Sequence, residues 1–131
     1  MSVATANRSH TAAADRTSLV AARCEPCEGG IEPMHAAEAR DLLMSLDGWT
    51  LSSDGKAIER LWNSGDFARG MALLDRIATI AEAEQHHPDV HLTGYRHVHV
   101  ELTTHAIGGL SRNDFIVAAK IDEAERQHAA A

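Results

Sequence analysis

The sequence predicts an α+β domain. In it a four-stranded antiparallel sheet carries helices packed on one face, in the order α-β-β-α-β-β-α. Three observations lead there. Val98, Val100 and Leu102 alternate with His97, His99 and Glu101, the period-two signature of a half-buried strand. Apolar residues recur at helical spacing on either side of each strand pair. Asp54-Gly55 and Gly94-Tyr95 fall where two neighbouring strands would have to turn. The length of 131 residues suits a single domain. Such a chain buries roughly two thirds of its unfolded surface, enough for one core without disulfides or metal.

Residues 1–33 read as a flexible tail, rich in Ala, Ser and Thr, without apolar periodicity and closing on Glu28-Gly29-Gly30. The domain is expected over residues 34–127, with a short tail at 128–131. Glu38 stands three residues after His35, as in a capping box, although histidine is a poor N-cap. Ala39, Leu42, Leu43 and Leu46 then form a helical stripe, which Asp47-Gly48 ends. Trp49 to Leu51 and Ile58 to Trp62 make a hairpin. Asp66 is a suitable N-cap for the next helix, with Phe67, Met71, Leu74, Ala78 and Ala81 as its apolar stripe. That helix continues to about Gln85, and Pro88 enforces an exit. Val90 to Leu92 is the third strand and the Val98 to Leu102 alternation the fourth. Gly108-Gly109 breaks the chain before a last helix. Ser111 caps that helix, and Phe115, Ala118, Ala119, Ile121 and Asp122 define its stripe.

Charge and composition remove several function classes. Twelve Lys+Arg against nineteen Asp+Glu give −7, and no basic cluster offers phosphate a surface, so nucleic acid is not an expected partner. No apolar run reaches the length of a membrane span, and the N-terminus has no continuous apolar stretch of the secretory kind. Cys24 and Cys27 form the chain's one Cys-x-x-Cys pair. Two thiols without an export signal suit a reducing cytoplasm, where they are expected as reduced thiols of a mobile segment. The nine histidines are the unusual feature, since their protonation would carry the formal charge from −7 to +2.

Several polar residues gather near the third and fourth strands. Glu82 stands four residues before His86, which places both on one helix face. His87 follows, and Pro88 fixes where the doublet points. His105 ends the strongest strand, and Asp114 lies in the first turn of the last helix. Taken singly, each histidine reads as a surface or structural residue. His97 and His99, alternating with the valines, read as strand surface or interface, His91 is ambiguous, and His10 and His128 lie in tails.

Together the residues resemble a known family. The stretch Glu82-Ala83-Glu84-Gln85-His86-His87-Pro88, Tyr95, the Val98 to Leu102 strand, Thr104-His105 and Gly109-Leu110-Ser111 with Asp114 is similar to the pterin-4a-carbinolamine dehydratases. The similarity runs upstream through Gly48-Trp49, Ile58, Arg60 and Asp66-Phe67, covering roughly Pro33 to Asp122. The Cys-x-x-Cys lead-in resembles that of some bacterial members. The family fold agrees with the element order read above.

The resemblance implies dehydration of a 4a-hydroxytetrahydropterin to quinonoid dihydropterin, recycling the pterin of aromatic amino acid hydroxylases. The pterin is then the substrate, and neither cofactor nor metal is expected. By position, His86, His87 and His105 match the family's catalytic histidines. Glu82 and Asp114 match its supporting carboxylates, and Pro88 and Thr104 complete the site. Imidazoles suit the task, because their unperturbed pKa near 6.5 lies close to working pH. A homodimer or homotetramer, built by pairing an exposed strand edge across a twofold axis, is also implied. The chain departs from the pattern at Val90 and Ser64, where many members carry an aromatic residue, and at Asn113, where some carry Arg. Val90 in particular would remove one stacking wall of the pocket. Two rival readings stand beside the enzyme. Glu82, His86, His105 and Asp114 offer nitrogen and oxygen donors to a metal. The family fold also serves as a transcription-factor dimerisation cofactor and as an assembly factor for a carbon-fixation enzyme, roles that need a surface and not the histidine trio.

Overall fold

The computed structural model describes residues 15–26 and 31–130. His10, Cys27 and the rest of residues 1–14, 27–30 and 131 lie outside the described residues. Helix α1 covers residues 15–21. It is followed by α2 (Ala36–Leu43), β1 (Thr50–Leu51), β2 (Ile58–Asn63), α3 (Phe67–Glu84), β3 (Asp89–Thr93), β4 (His97–Leu102), a 3-10 turn (His105–Ile107) and α4 (Arg112–Ala130). The four strands form one sheet in the order β1-β2-β4-β3, antiparallel throughout. This is the expected α+β architecture. No helix among the described residues is long and apolar enough to cross a membrane.

The alternation in β4 sets the two faces of the sheet. Val98, Val100 and Leu102 are fully buried beneath the helices, together with Ile58 of β2. His97, His99 and Glu101 lie on the opposite, outer face. Phe115, Val117, Ala118 and Ala119 of α4 are fully buried in the same core cluster. Where α2 was read through to Leu46, it stops at Leu43, and Leu46 is buried in the turn that follows. His35 is the N-cap but makes no side-chain cap bond. Asp122, placed by the sequence on the buried stripe of α4, ties three elements together. It accepts from Trp49 Nε1 (2.8 Å), Arg60 Nη1 (2.6 Å) and the Asp47 amide (3.1 Å).

Three expectations need correction. The inner face of α3 is Gly70, Leu73, Ile77, Ala81 and Glu84, whereas Phe67 and Met71 are about half exposed. The stripe read from Phe67 is rotated by about one residue, roughly 100°. Gly70 fixes the true face, since a Cβ there would stand 3.0 Å from the Leu92 side chain of β3. Residues 128–130 continue α4, as a His-Ala-Ala run with no breaker permits. Residues 15–26, inside the expected tail, are packed. Leu19 is fully buried, and the Lys120 ammonium donates to the Val20 carbonyl (2.8 Å). One leucine in a seven-residue helix is too short a pattern to announce itself by periodicity.

Candidate active site

Glu84 ends α3, and Gln85 adopts a left-handed conformation (φ 53°, ψ 39°), its amide donating to the Ala81 carbonyl. This αL cap turns the chain before His86, so the expected i, i+4 partnership of Glu82 with His86 does not form. The two histidines of the doublet separate instead. His86 Nε2 lies 2.6 Å from Asp114 Oδ1, and His87 Nε2 reaches Glu82 Oε2. His86 is mostly buried, while His87 and Glu82 are solvent-exposed.

Asp114 is fully buried. Its Oδ2 accepts from the Thr104 hydroxyl (2.8 Å) and the Ser111 amide (3.0 Å), the second being the return half of a Ser-x-x-Asp capping box at the start of α4. With Thr104 committed to Asp114, the Ser111 hydroxyl donates to Thr104 (2.7 Å), and it accepts from the Asn113 amide (3.2 Å). A carboxylate taking bonds through both oxygens is an acceptor, so His86 Nε2 carries a proton and Nδ1 is its free nitrogen.

His105 lies beyond β4, as the first residue of the 3-10 turn, and does not end the strand itself. The turn is clamped by the paired backbones of Thr104 and Gly109. The His105 ring is exposed and makes no hydrogen bond or ion pair among the described residues.

The three imidazoles line one cavity of about 570 Å³, and Thr104 lines it with them. That volume is in the range of small-molecule sites. Pro88 does not line it. Pro88 sits with Leu74, Ala78 and Val90 in a separate shallow hollow that shares His87. Val90 is thus not a wall of the histidine cavity, and Ser64 lies in another depression beside Trp62.

One wall of the cavity was not expected. Cys24, Glu25 and Pro26 line the cavity together with Asn113. The Cys24 amide donates to Glu84 Oε1 (2.8 Å), the Glu25 amide donates to Asn113 Oδ1 (3.0 Å), and Asn113 Nδ2 donates back to the Glu25 carbonyl. Glu84 also faces Arg23 (3.4 Å) and Lys120 (3.6 Å). Burial works to raise the Glu84 carboxyl, but the Cys24 amide and the two cations outweigh it and hold it below its ordinary value. Burial first, then the charge of Glu84, pushes the Cys24 thiol up to about 12, so it stays protonated and weakly nucleophilic. The only sequence signals for this wall were the Cys-x-x-Cys and the departure at Asn113, and nothing linked them across 88 residues.

Comparison with known proteins places the chain. A family profile for pterin 4 alpha carbinolamine dehydratase matches residues 32–124. An Arabidopsis thaliana protein named pterin-4-alpha-carbinolamine dehydratase 2, mitochondrial, is 45% identical over 104 residues, 77% of this chain and 56% of that protein. The chain therefore spans little more than half the length of the plant relative. A Nitrosomonas europaea relative named for the same dehydratase is 48% identical over 76% of this chain and 87% of its own. A Halorhodospira halophila relative is 41% identical over 80% and 95%. A crystal structure from Brucella melitensis, described as a transcriptional coactivator/pterin dehydratase, matches with TM-score 0.65 and 29% identity over 70% of this chain and 97% of that one. A match across most of the chain at this identity makes the protein a member of the pterin-4-alpha-carbinolamine dehydratase family, a family of hydro-lyases.

Proposed function

We propose that the chain converts a 4a-hydroxytetrahydropterin to quinonoid dihydropterin and water. The observation that carries this reading is the meeting of His86, His87 and His105, from two separate stretches of chain, around one cavity of pterin-compatible size. In the reaction the C4a–O bond breaks and the hydroxyl takes a proton to depart as water. N5 loses its proton, and its electrons form the C4a=N5 double bond. No electrons leave the substrate, so the step calls for an acid and a base and for neither metal nor redox cofactor. His86 and His105 serve the hydroxyl and His87 serves N5. Asp114 holds His86 in the tautomer with Nδ1 free, and Thr104 holds Asp114. Glu82 orients His87, and Pro88 fixes the exit of the doublet. The product feeds the recycling of a pterin cofactor used by an aromatic amino acid hydroxylase. The chain works as a homodimer or homotetramer.

The test is direct. Mixed with a pterin-dependent hydroxylase, the protein should speed decay of the carbinolamine, and His105→Ala should lower kcat by about 100-fold. Undiminished dehydration by that variant would remove His105 from the mechanism. The Brucella protein's description supports a second reading, a protein-binding role. A stoichiometric partner captured by a protein without dehydratase activity would put that reading first.

A further inference from the structure

The outer face of the sheet carries a second group of histidines that the dehydration does not use. His91 of β3 and His99 of β4 are directly opposed cross-strand partners. Their rings stack at 5.6 Å with an interplanar angle of 23°. Glu101, two residues along β4, points to the same face, and its register partners are Glu59 of β2 and Asp89 of β3. Two imidazoles thus lie beside three carboxylates, on the face opposite to Val98, Val100 and Leu102. None of His91, His99 and Glu101 lines the dehydratase cavity.

We propose that His91, His99 and Glu101 form a binding site for a divalent transition-metal ion of the zinc class. One donor atom from each lies within 4.8 Å of the others. A tetrahedral ion bound at about 2.0–2.1 Å holds its nitrogen and oxygen ligands about 3.3 Å apart. The donors therefore need to draw in by about 1.5 Å at most, which side-chain rotations on a fixed strand backbone supply. His99 Nε2 stands 3.7 Å from both Glu59 Oε2 and Glu101 Oε1, too far for a hydrogen bond to either. The acceptors are gathered around this imidazole without bonding to it, the spacing that a cation between them would close. Glu59 or water completes the fourth position.

The donor set selects the ion. Two imidazole nitrogens with one or two carboxylates suit Zn²⁺, Co²⁺, Ni²⁺ or Cu²⁺, whereas Ca²⁺ and Mg²⁺ ask for an all-oxygen shell. Binding needs neutral imidazoles, so protons compete with the ion for this site. The competing account is a solvated polar face on which the histidines only exchange protons with the acids.

Titration of the full chain with zinc chloride, followed by calorimetry, separates the two. One ion per chain should bind, and His91→Ala or His99→Ala should weaken it by about tenfold or more. Both positions are on the solvent face, so these variants keep the fold and the dehydratase rate, which are measured in parallel. Cobalt(II) gives the second readout: a tetrahedral d–d spectrum without thiolate charge-transfer bands, unchanged by Cys24→Ser/Cys27→Ser and by His105→Ala. The proposal is overturned if the wild-type chain binds no zinc at about 100 μM. It is equally overturned if the bound ion survives His91→Ala/His99→Ala, or leaves with the cysteines or His105.

Discussion

Asp114 concentrates more of the site in one side chain than any histidine does. It has no exposed surface, and it accepts from His86, Thr104 and Ser111 at once. Asp114→Asn exchanges one accepting oxygen for an amide donor, which must then face a group that is itself a donor. The expected result is a fall in kcat of about 100-fold with a stability loss of about 1–3 kcal/mol. Because Asp114 acts through His86, the double variant Asp114→Asn/His86→Ala should be little slower than His86→Ala alone. Additive losses in that cycle would separate the two residues. Asp122 provides the contrasting case of a buried acid distant from the chemistry. Asp122→Ala strands Trp49 Nε1, the Asp47 amide and the Arg60 guanidinium. It should cost about 2–4 kcal/mol in denaturant unfolding and leave the kcat of the folded fraction unchanged.

At the scale of elements, the segment 22–26 is held by polar groups, and each can be loosened without touching a histidine. Asn113→Ala removes the two-way clamp on Glu25. KM for the carbinolamine should rise severalfold while kcat holds. In a Cys27→Ser background, iodoacetamide should label Cys24 faster, because release from burial lowers its thiol from about 12 toward its ordinary value. An unchanged KM would show that this wall does not meet the substrate. Glu84 gives the segment a pH dependence. Its carboxyl is held low in the folded state, so its contribution is present above the unfolded value near 4.3 and is lost as pH falls through the folded one. Thermal unfolding of wild type and Glu84→Gln should therefore differ at pH 7 and converge as the pH is lowered through the depressed folded value. The strands and the caps at Asp66 and Ser111 were legible in the sequence, because each rests on spacing within one element, whereas the histidine set spans two stretches of chain and was named only through the family resemblance. Two features were not. The αL conformation of Gln85, a residue with no preference for it, re-pairs Glu82 with His87. The wall at residues 24–26 depends on side chains far away in the chain, Glu84 and Asn113, and no local pattern records such a bond.

The whole molecule explains why the stripe of α3 was assigned to the wrong face. Period 3.6 identifies an apolar row but not what the row meets, and α3 carries two. Gly70, Leu73, Ile77 and Ala81 form the buried row of a helix that packs against α4, β3 and β4. Phe67 and Met71 are 55% and 49% exposed, with Leu74 and Ala78 continuing their row and Val90 of β3, 42% exposed, nearby. A helix apolar on two sides is built to be covered on both. Among the described residues only one of the two rows is covered, so a second copy of the chain is the natural candidate for the other, in keeping with the proposed homodimer or homotetramer. The edges of the sheet add a constraint. β1 has two residues, whereas β3 presents five with one side unpaired, so β3 is the edge long enough to pair across a twofold axis. These two surfaces can be told apart. Phe67→Asp/Met71→Asp places charge on the α3 row alone, away from the histidine cavity and the β3 backbone. Light scattering after size exclusion should show the wild-type assembly falling to a smaller species, with the helical signal kept. A wild-type mass equal to one chain, or an assembly indifferent to the double substitution, would leave the row without the partner argued for it. If the assembly halves and does not fall to monomer, the α3 row joins two dimers and the β3 edge holds each dimer together.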